Sequence, residues 1–151
     1  MKIKSKKVLV GVGNNLRSDD GAGSFIAQKF KCSSWLALDG KTAPENITSA
    51  IKKIKPKLLV IVDATEMNLD AGSLRIIPLE KIISLNISTH SMPLYFLIEY
   101  LKPYCQKIIL IGIQPVSTQI GDSISKPVLK SCYSLIELLK DNRIEEIKIL
   151  S

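Results

Sequence analysis

The sequence predicts an α/β fold: a single three-layer domain over residues 1–151, with a mostly parallel, twisted sheet of about five strands and helices on both faces. Three observations predict it. Apolar runs of strand length recur along the chain. Amphipathic stretches of helical length separate them. Polar residues collect just beyond the carboxyl ends of the apolar runs. Alternation of this kind implies parallel strands joined by right-handed crossovers, with the strand ends gathered on one rim.

The elements follow in order. Residues 7–12, Lys-Val-Leu-Val-Gly-Val, are apolar almost throughout, as a strand covered on both faces must be. Residues 21–30 read as a helix, and 35–38 as a second strand ending at Asp39. Residues 44–54 read as a second helix, with Thr42 as cap and Pro44 near the first turn. Residues 58–62 form a third buried strand ending at Asp63, and the shorter, more polar 73–77 suits a sheet edge. A helix over 93–102 is stopped by Pro103. Residues 107–113 are another buried strand, 126–139 a last long helix, and 144–150 a short strand or a frayed tail.

Bulk properties narrow the function. At 151 residues and 46% hydrophobic, the chain can build a core without staples; a domain of this size buries about 70% of the surface it exposes when unfolded. The apolar runs are too short to span a membrane. The N-terminus passes from scattered lysines into a strand with no apolar leader, which predicts a cytoplasmic protein. The three cysteines, Cys32, Cys105 and Cys132, form no CxxC pair and read as reduced thiols. A net charge of +7 invites a nucleic-acid reading, but the lysines are dispersed and aromatics, at 5%, do not interleave with them. Solvated helix and loop faces account for the charge better, and a basic surface can still steer an acidic protein partner.

Three segments carry the polar residues: Gly11 to Gly23, Val62 to Thr65, and Ser88 to Pro93. The first opens with Gly11-Val-Gly13, and Asp39 ends the next strand as an acid does in dinucleotide folds. That fingerprint requires a third glycine at position 16, where Leu16 stands, and Asp19 and Asp20 would repel a pyrophosphate. No Gly-Lys-Ser/Thr follows for a phosphate loop. Taken singly, Asp19 or Asp20 can cap a helix, Asp63 can cap a loop, and His90, the only histidine, can be structural. Taken together, an acid of the Asp19-Asp20 pair, Asp63 and His90 come from three loops that can meet at one rim. Two carboxylates and one imidazole make a three-donor site with open positions, suited to zinc, nickel, manganese or cadmium.

These segments resemble the hydrogenase maturation proteases, and within them the group that processes hydrogenase-3-type large subunits. The pattern GxGNxLxxDDGxG is matched from Gly11 to Gly23. Asp39-Gly40, Ala43-Pro-Glu-Asn46, Asp63-Ala-Thr65, Thr89-His90 with Met92-Pro-Leu94, and Gly112-Ile-Gln-Pro115 follow in the family's order. The resemblance implies a cytoplasmic endopeptidase, grouped with the aspartic type, that removes the C-terminal extension of a nickel–iron hydrogenase large-subunit precursor after nickel insertion. It implies Asp20, Asp63 and His90 as both metal ligands and catalytic residues, nickel carried by the substrate, and zinc or cadmium as substitutes in vitro. Asp19 and Thr89 would support them. The chain departs from the family where Lys41 replaces a second glycine after the strand-two aspartate, and where Ala71 replaces a proline.

No HExxH, Ser–His–Asp order or active-site cysteine motif is present. Either the precursor's nickel is gripped as a positioning template, or a metal held by the enzyme activates water with Asp20 or Asp63 as base. The template reading is favoured, because one histidine and two carboxylates give modest affinity by themselves. The rival readings are a nucleotide-binding α/β oxidoreductase, a noncatalytic hydrogenase assembly chaperone and a nucleic-acid-binding module.

Overall fold

The computed structural model describes residues 6–41, 47–85, 93–121 and 123–151. Five strands form: β1 (Lys7–Val12), β2 (Trp35–Lys41), β3 (Leu58–Ala64), β4 (Leu74–Ile77) and β5 (Ile108–Ile113). They make one sheet in the order β2-β1-β3-β5-β4. All neighbours are parallel except β4, which runs antiparallel to β5 at the edge. Its partly exposed Leu74, Arg75 and Ile76 fit an edge position. The other predicted strands appear where expected, with β2 and β3 running past Asp39 and Asp63 rather than ending at them.

The alternation of side chains sorts the core into two layers. Leu9, Val60, Val62, Ile109, Ile111 and Ile113 face one side, where they meet α1 (Ala22–Lys29) and α5 (Lys126–Lys140). Val8, Val10, Leu59, Ile61 and Leu110 face the other, beneath α2 (Thr48–Ile54), α3 (Leu79–Ser84) and α4 (Leu94–Leu101). The predicted three-layer architecture is therefore present.

Four details differ from expectation. The second helix begins at Thr48 among the described residues; Thr42 and Pro44, assigned to its start, lie outside them. The short helix α3 has no strong sequence signal, being six residues after Pro78. Pro103 does not end the chain's helical course but sits in a 3-10 turn, Lys102–Tyr104, where its missing N–H costs nothing. The tail forms a 3-10 turn, Ile144–Glu146, and then a bridge between Ile76 and Ile149.

The strand order places the site. From β1 the chain goes first to β2 on one side and then to β3 on the other, so the switch point of the sheet lies between the carboxyl ends of β1 and β3. Such a crevice is where α/β sheets receive their ligands.

Candidate active site

The glycines of the first segment act by letting backbones touch. A Cβ on Gly11 would lie 1.9 Å from the carbonyl oxygen of Gly23. One on Gly23 would lie 2.2 Å from the carbonyl oxygen of Val12 and 2.6 Å from that of Val62. The start of α1 thus rests directly on β1 and β3. Gly13, at φ +153°, turns the chain where a side chain would strike the carbonyl oxygen of Asp20. A 3-10 turn, Ser18–Gly21, then carries Asp19 and Asp20 across the switch point.

Asp19 is fully buried and saturated with donors. Its carboxylate accepts the backbone N–H groups of Val116 (2.8 Å), Ser117 (3.3 Å) and Ser125 (2.7 Å), and the Ser125 hydroxyl (2.9 Å). Ser125 immediately precedes α5, so one carboxylate ties the first loop to the connection after β5. Arg17 Nε adds a bond to the Thr118 carbonyl, and backbone bonds link Ser18 with Gly121 and Gly121 with Leu16. The supporting role read for Asp19 takes the form of this clamp.

Asp20 is half-buried, and its Oδ2 accepts the N–H of Asn14 at 3.3 Å. Asp63 is 4% exposed, although it stands near the end of a strand. It occupies the same face as Leu59 and Ile61, toward α4. Burial first, and the negative charge of Asp20 second, push its carboxyl well above the ordinary carboxylate range, while the Ala64 N–H acts the other way. The 3-10 turn that carries Asp20 packs against β3, so the charge of Asp20 is felt at Asp63 across the switch point.

His90 lies outside the described residues, as do Thr89 and Met92. Their motif leads into α4 at Pro93. The far end of α4 adjoins the start of β5, where Ile98 and Lys102 share a cavity with Ile108. Leu94 therefore begins the helix on the rim that holds Asp20 and Asp63. Among the described residues no group of three His, Cys, Asp or Glu side chains gathers at one point. The chemistry of the pair still fits a divalent cation: a buried carboxylate with a like charge beside it is stabilised by a proton or a cation.

Asp39 takes no part in this pair. Its carboxylate accepts Ser24 Oγ, Gln28 Nε2 (2.9 Å) and the Lys41 N–H (3.0 Å), which fastens β2 to α1. In a dinucleotide fold the corresponding acid would have to be open to a ribose. Lys41 adopts φ +50°, a conformation that favours glycine, and its carbonyl accepts the Gly13 N–H at 2.7 Å. The family's glycine preference at this position has that physical basis.

Gln114, in the Gly112–Pro115 motif, received no role from sequence. It is 3% exposed and organises the loop after Asp63. Its Oε1 accepts the N–H groups of Met67 (2.7 Å) and Leu69 (3.2 Å), and its Nε2 donates to Glu66 (3.0 Å) and the Pro115 carbonyl (3.2 Å). The available signal was an amide directly after a buried apolar strand, where a side chain must satisfy backbone groups that the sheet has abandoned.

Fold and rim together define an α/β protein with a carboxylate pair at its switch point and glycines spent on packing rather than on phosphate. The chain belongs to the hydrogenase maturation protease family, whose model matches residues 24–142. It is 44% identical over 137 residues, 88% of each chain, to the Hydrogenase 3 maturation protease of Escherichia coli K12. A crystal structure of a Hydrogenase 3 maturation protease superposes with TM-score 0.89 at 34% identity, covering 98% of both chains. The [NiFe] hydrogenase maturation protease HycI of Thermococcus kodakarensis KOD1 superposes with TM-score 0.81 at 30% identity, covering 92% of both. Asp63 and His90 fall within the span matched by the family model, and Asp20 precedes it.

Proposed function

We propose that this hydrogenase maturation endopeptidase removes the C-terminal extension of a nickel–iron hydrogenase large-subunit precursor after nickel insertion, and that Asp20, Asp63 and His90 grip the precursor's nickel. Family membership supports the peptidase activity. The site assignment is supported by the burial of Asp63 near the carboxyl end of β3 and by the packing of the Asp20-bearing 3-10 turn against that strand.

In this reading the nickel arrives with the substrate. It supplies a fixed positive charge that positions the precursor. Burial and the charge of Asp20 make Asp63 hold a proton more tightly than an ordinary carboxylate, and a cation at the rim would favour its ionised form. The Asp19 clamp and the Gly11–Gly23 contact hold Asp20 in place, so little ordering is needed on binding. Hydrolysis adds water across the scissile amide, and a rim carboxylate in its ionised form would take the water's proton as the carbonyl is attacked. The aspartic-type grouping fits that chemistry. Zinc or cadmium would serve as substitutes in vitro, and we place the protein in the cytoplasm. No helix among the described residues is long and apolar enough to cross a membrane.

The test is to mix the protein with nickel-loaded precursor and weigh the products. Wild type should shorten the precursor, and Asp20→Ala, Asp63→Ala and His90→Ala should each abolish the mass loss. Cleavage of metal-free precursor at full rate would defeat the template role of nickel. Binding of the precursor without any cleavage would make the protein an assembly chaperone instead.

A further inference from the structure

Ile120 and Leu16 have the highest exposures of the large hydrophobic residues among those described, at 87% and 72%, and Val116 is exposed as well. They are not scattered. Leu16 belongs to the loop that carries Asp20, while Val116 and Ile120 belong to the connection after β5. The two loops are joined at these points: the Gly121 N–H donates to the Leu16 carbonyl at 3.0 Å, and the Val116 N–H donates to Asp19 at 2.8 Å. A protein surface does not ordinarily expose three such side chains on two cross-linked loops.

The backbone beneath them is held. Ser18 Oγ donates to the Gln119 carbonyl, Arg17 Nε to the Thr118 carbonyl, and Ser18 N–H to the Gly121 carbonyl. Apolar side chains on a braced backbone present contact area at low ordering cost, which is the character of an anchor surface. Arg17 adds a guanidinium between the two loops, with no carboxylate partner among the described residues.

We infer that Leu16, Val116 and Ile120 form the surface on which the precursor docks, receiving an apolar segment that carries a carboxylate opposite Arg17. The inference rests on the proposed peptidase reading, which requires a polypeptide to lie across the rim beside Asp20. The patch is continuous with that rim through the 3-10 turn Ser18–Gly21. The chain's net charge of +7 favours the acidic character of the incoming segment.

The experiment is to measure binding of purified nickel-loaded precursor to the full-length protein, separately from cleavage. Ile120→Asp and Leu16→Asp should each weaken binding about tenfold or more, in the manner of a hot-spot residue. Melting temperature and cadmium binding should stay at the wild-type level, because both side chains point to solvent. Ile120→Lys loses the same apolar contact but keeps the local charge positive, so it should weaken binding less than Ile120→Asp. Ile149→Asp, equally surface-borne but at the chain's end, should have no effect. Unchanged binding by Ile120→Asp and Leu16→Asp would overturn the inference while leaving the peptidase reading intact. Equal losses for Ile120→Lys and Ile120→Asp would remove the carboxylate from it. Precursor that binds wild type through this patch yet is never cut would overturn the peptidase reading alone. A wild-type dimer that Ile120→Asp converts to monomer would assign the surface to a second copy of the chain and overturn the proposed occupant.

Discussion

Asp19 and Asp63 are both buried carboxylates on the same rim, and the fold treats them in opposite ways. Asp19 accepts four hydrogen bonds from three residues. Asp63 has a backbone N–H from its own neighbour and the negative charge of Asp20 nearby. A buried charge is tolerated when donors replace the water it has lost. Asp19 meets that condition and serves architecture. Among the described residues Asp63 lacks such a supply of donors, which is the setting in which a proposed cation-binding or proton-handling role is physically reasonable. Burial alone therefore does not describe an acid's environment; the supply of donors separates these two.

The sharpest way to break this contrast is Asp63→Asn. Activity should fall by about 10²- to 10⁴-fold, the range for losing a positioned acid–base group. Stability at pH 7 should not fall and should rise if anything. The sign follows from linkage. The folded-state carboxyl titrates above its unfolded value, so the native state binds the proton more tightly. Stability from this group is then greatest below the ordinary carboxylate range and declines as pH rises through the interval up to the raised value. Urea unfolding from pH 4 upward should show that decline in wild type and a flatter profile in Asp63→Asn. A variant that is both inactive and markedly less stable at pH 7 would place Asp63 with Asp19, as a structural acid.

Asp19→Ala should give the reverse pattern. It leaves three backbone N–H groups and the Ser125 hydroxyl without their acceptor in a buried position. The cost should be about 3 kcal/mol, since each orphaned group carries a penalty of about 1–3 kcal/mol and water recovers part of it. For a chain of this length that corresponds to a fall of about 10 °C in melting temperature. Activity should drop too, but through displacement of Asp20, so high precursor concentration should recover more of it than in Asp63→Asn. Calorimetry together with a KM-against-kcat comparison separates the two variants. Asp19→Ala with wild-type stability would mean that the clamp is not what holds the loop.

Much of this was legible in the sequence, and the reasons differ by region. Buried strands such as 58–62 and 107–113 announce themselves because a strand covered on both faces must be apolar at every position. The edge strand β4 was legible from its polarity and shortness. The short α3 was not, because six residues give too little periodicity to distinguish a helix from a loop. At the rim, an acid of the Asp19-Asp20 pair and Asp63 could be selected because strand ends of a parallel sheet share one side. Composition and spacing alone could not separate Asp19 from Asp20; the family resemblance did, and the physical reason lies in the fold. They are adjacent and chemically identical, and their roles are set by Ser125 and Val116, roughly a hundred positions away. Gln114 escaped for the same reason, since its partners Met67 and Leu69 belong to another loop. His90, whose motif was the third leg of the reading, falls outside the described residues, so the geometry bears on two of the three proposed ligands.

The same physics recurs on a smaller scale in the thiols, where it can be tested without touching the rim. The hydroxyl and backbone of Ser34 lower the pKa of Cys32 more than burial raises it. Burial raises Cys105 to about 11, and burial together with the charge of Asp19 raises Cys132 to about 12. A disulfide-exchange reagent at pH 8 needs thiolate. It should therefore modify Cys32 first and Cys105 slowly, and reach Cys132 only when the protein unfolds. Mass spectrometry of digested protein along a time course gives the order. Activity should survive the first modification, because Cys32 lies in the connection leading into β2, at the opposite end of the sheet from Asp20 and Asp63. Cys132 is the informative member, since it is packed beneath α1 within reach of the Asp19 charge. If it labels as quickly as Cys32, α5 must part from α1 in the native state, and the donors of Asp19 would then be absent for part of the time.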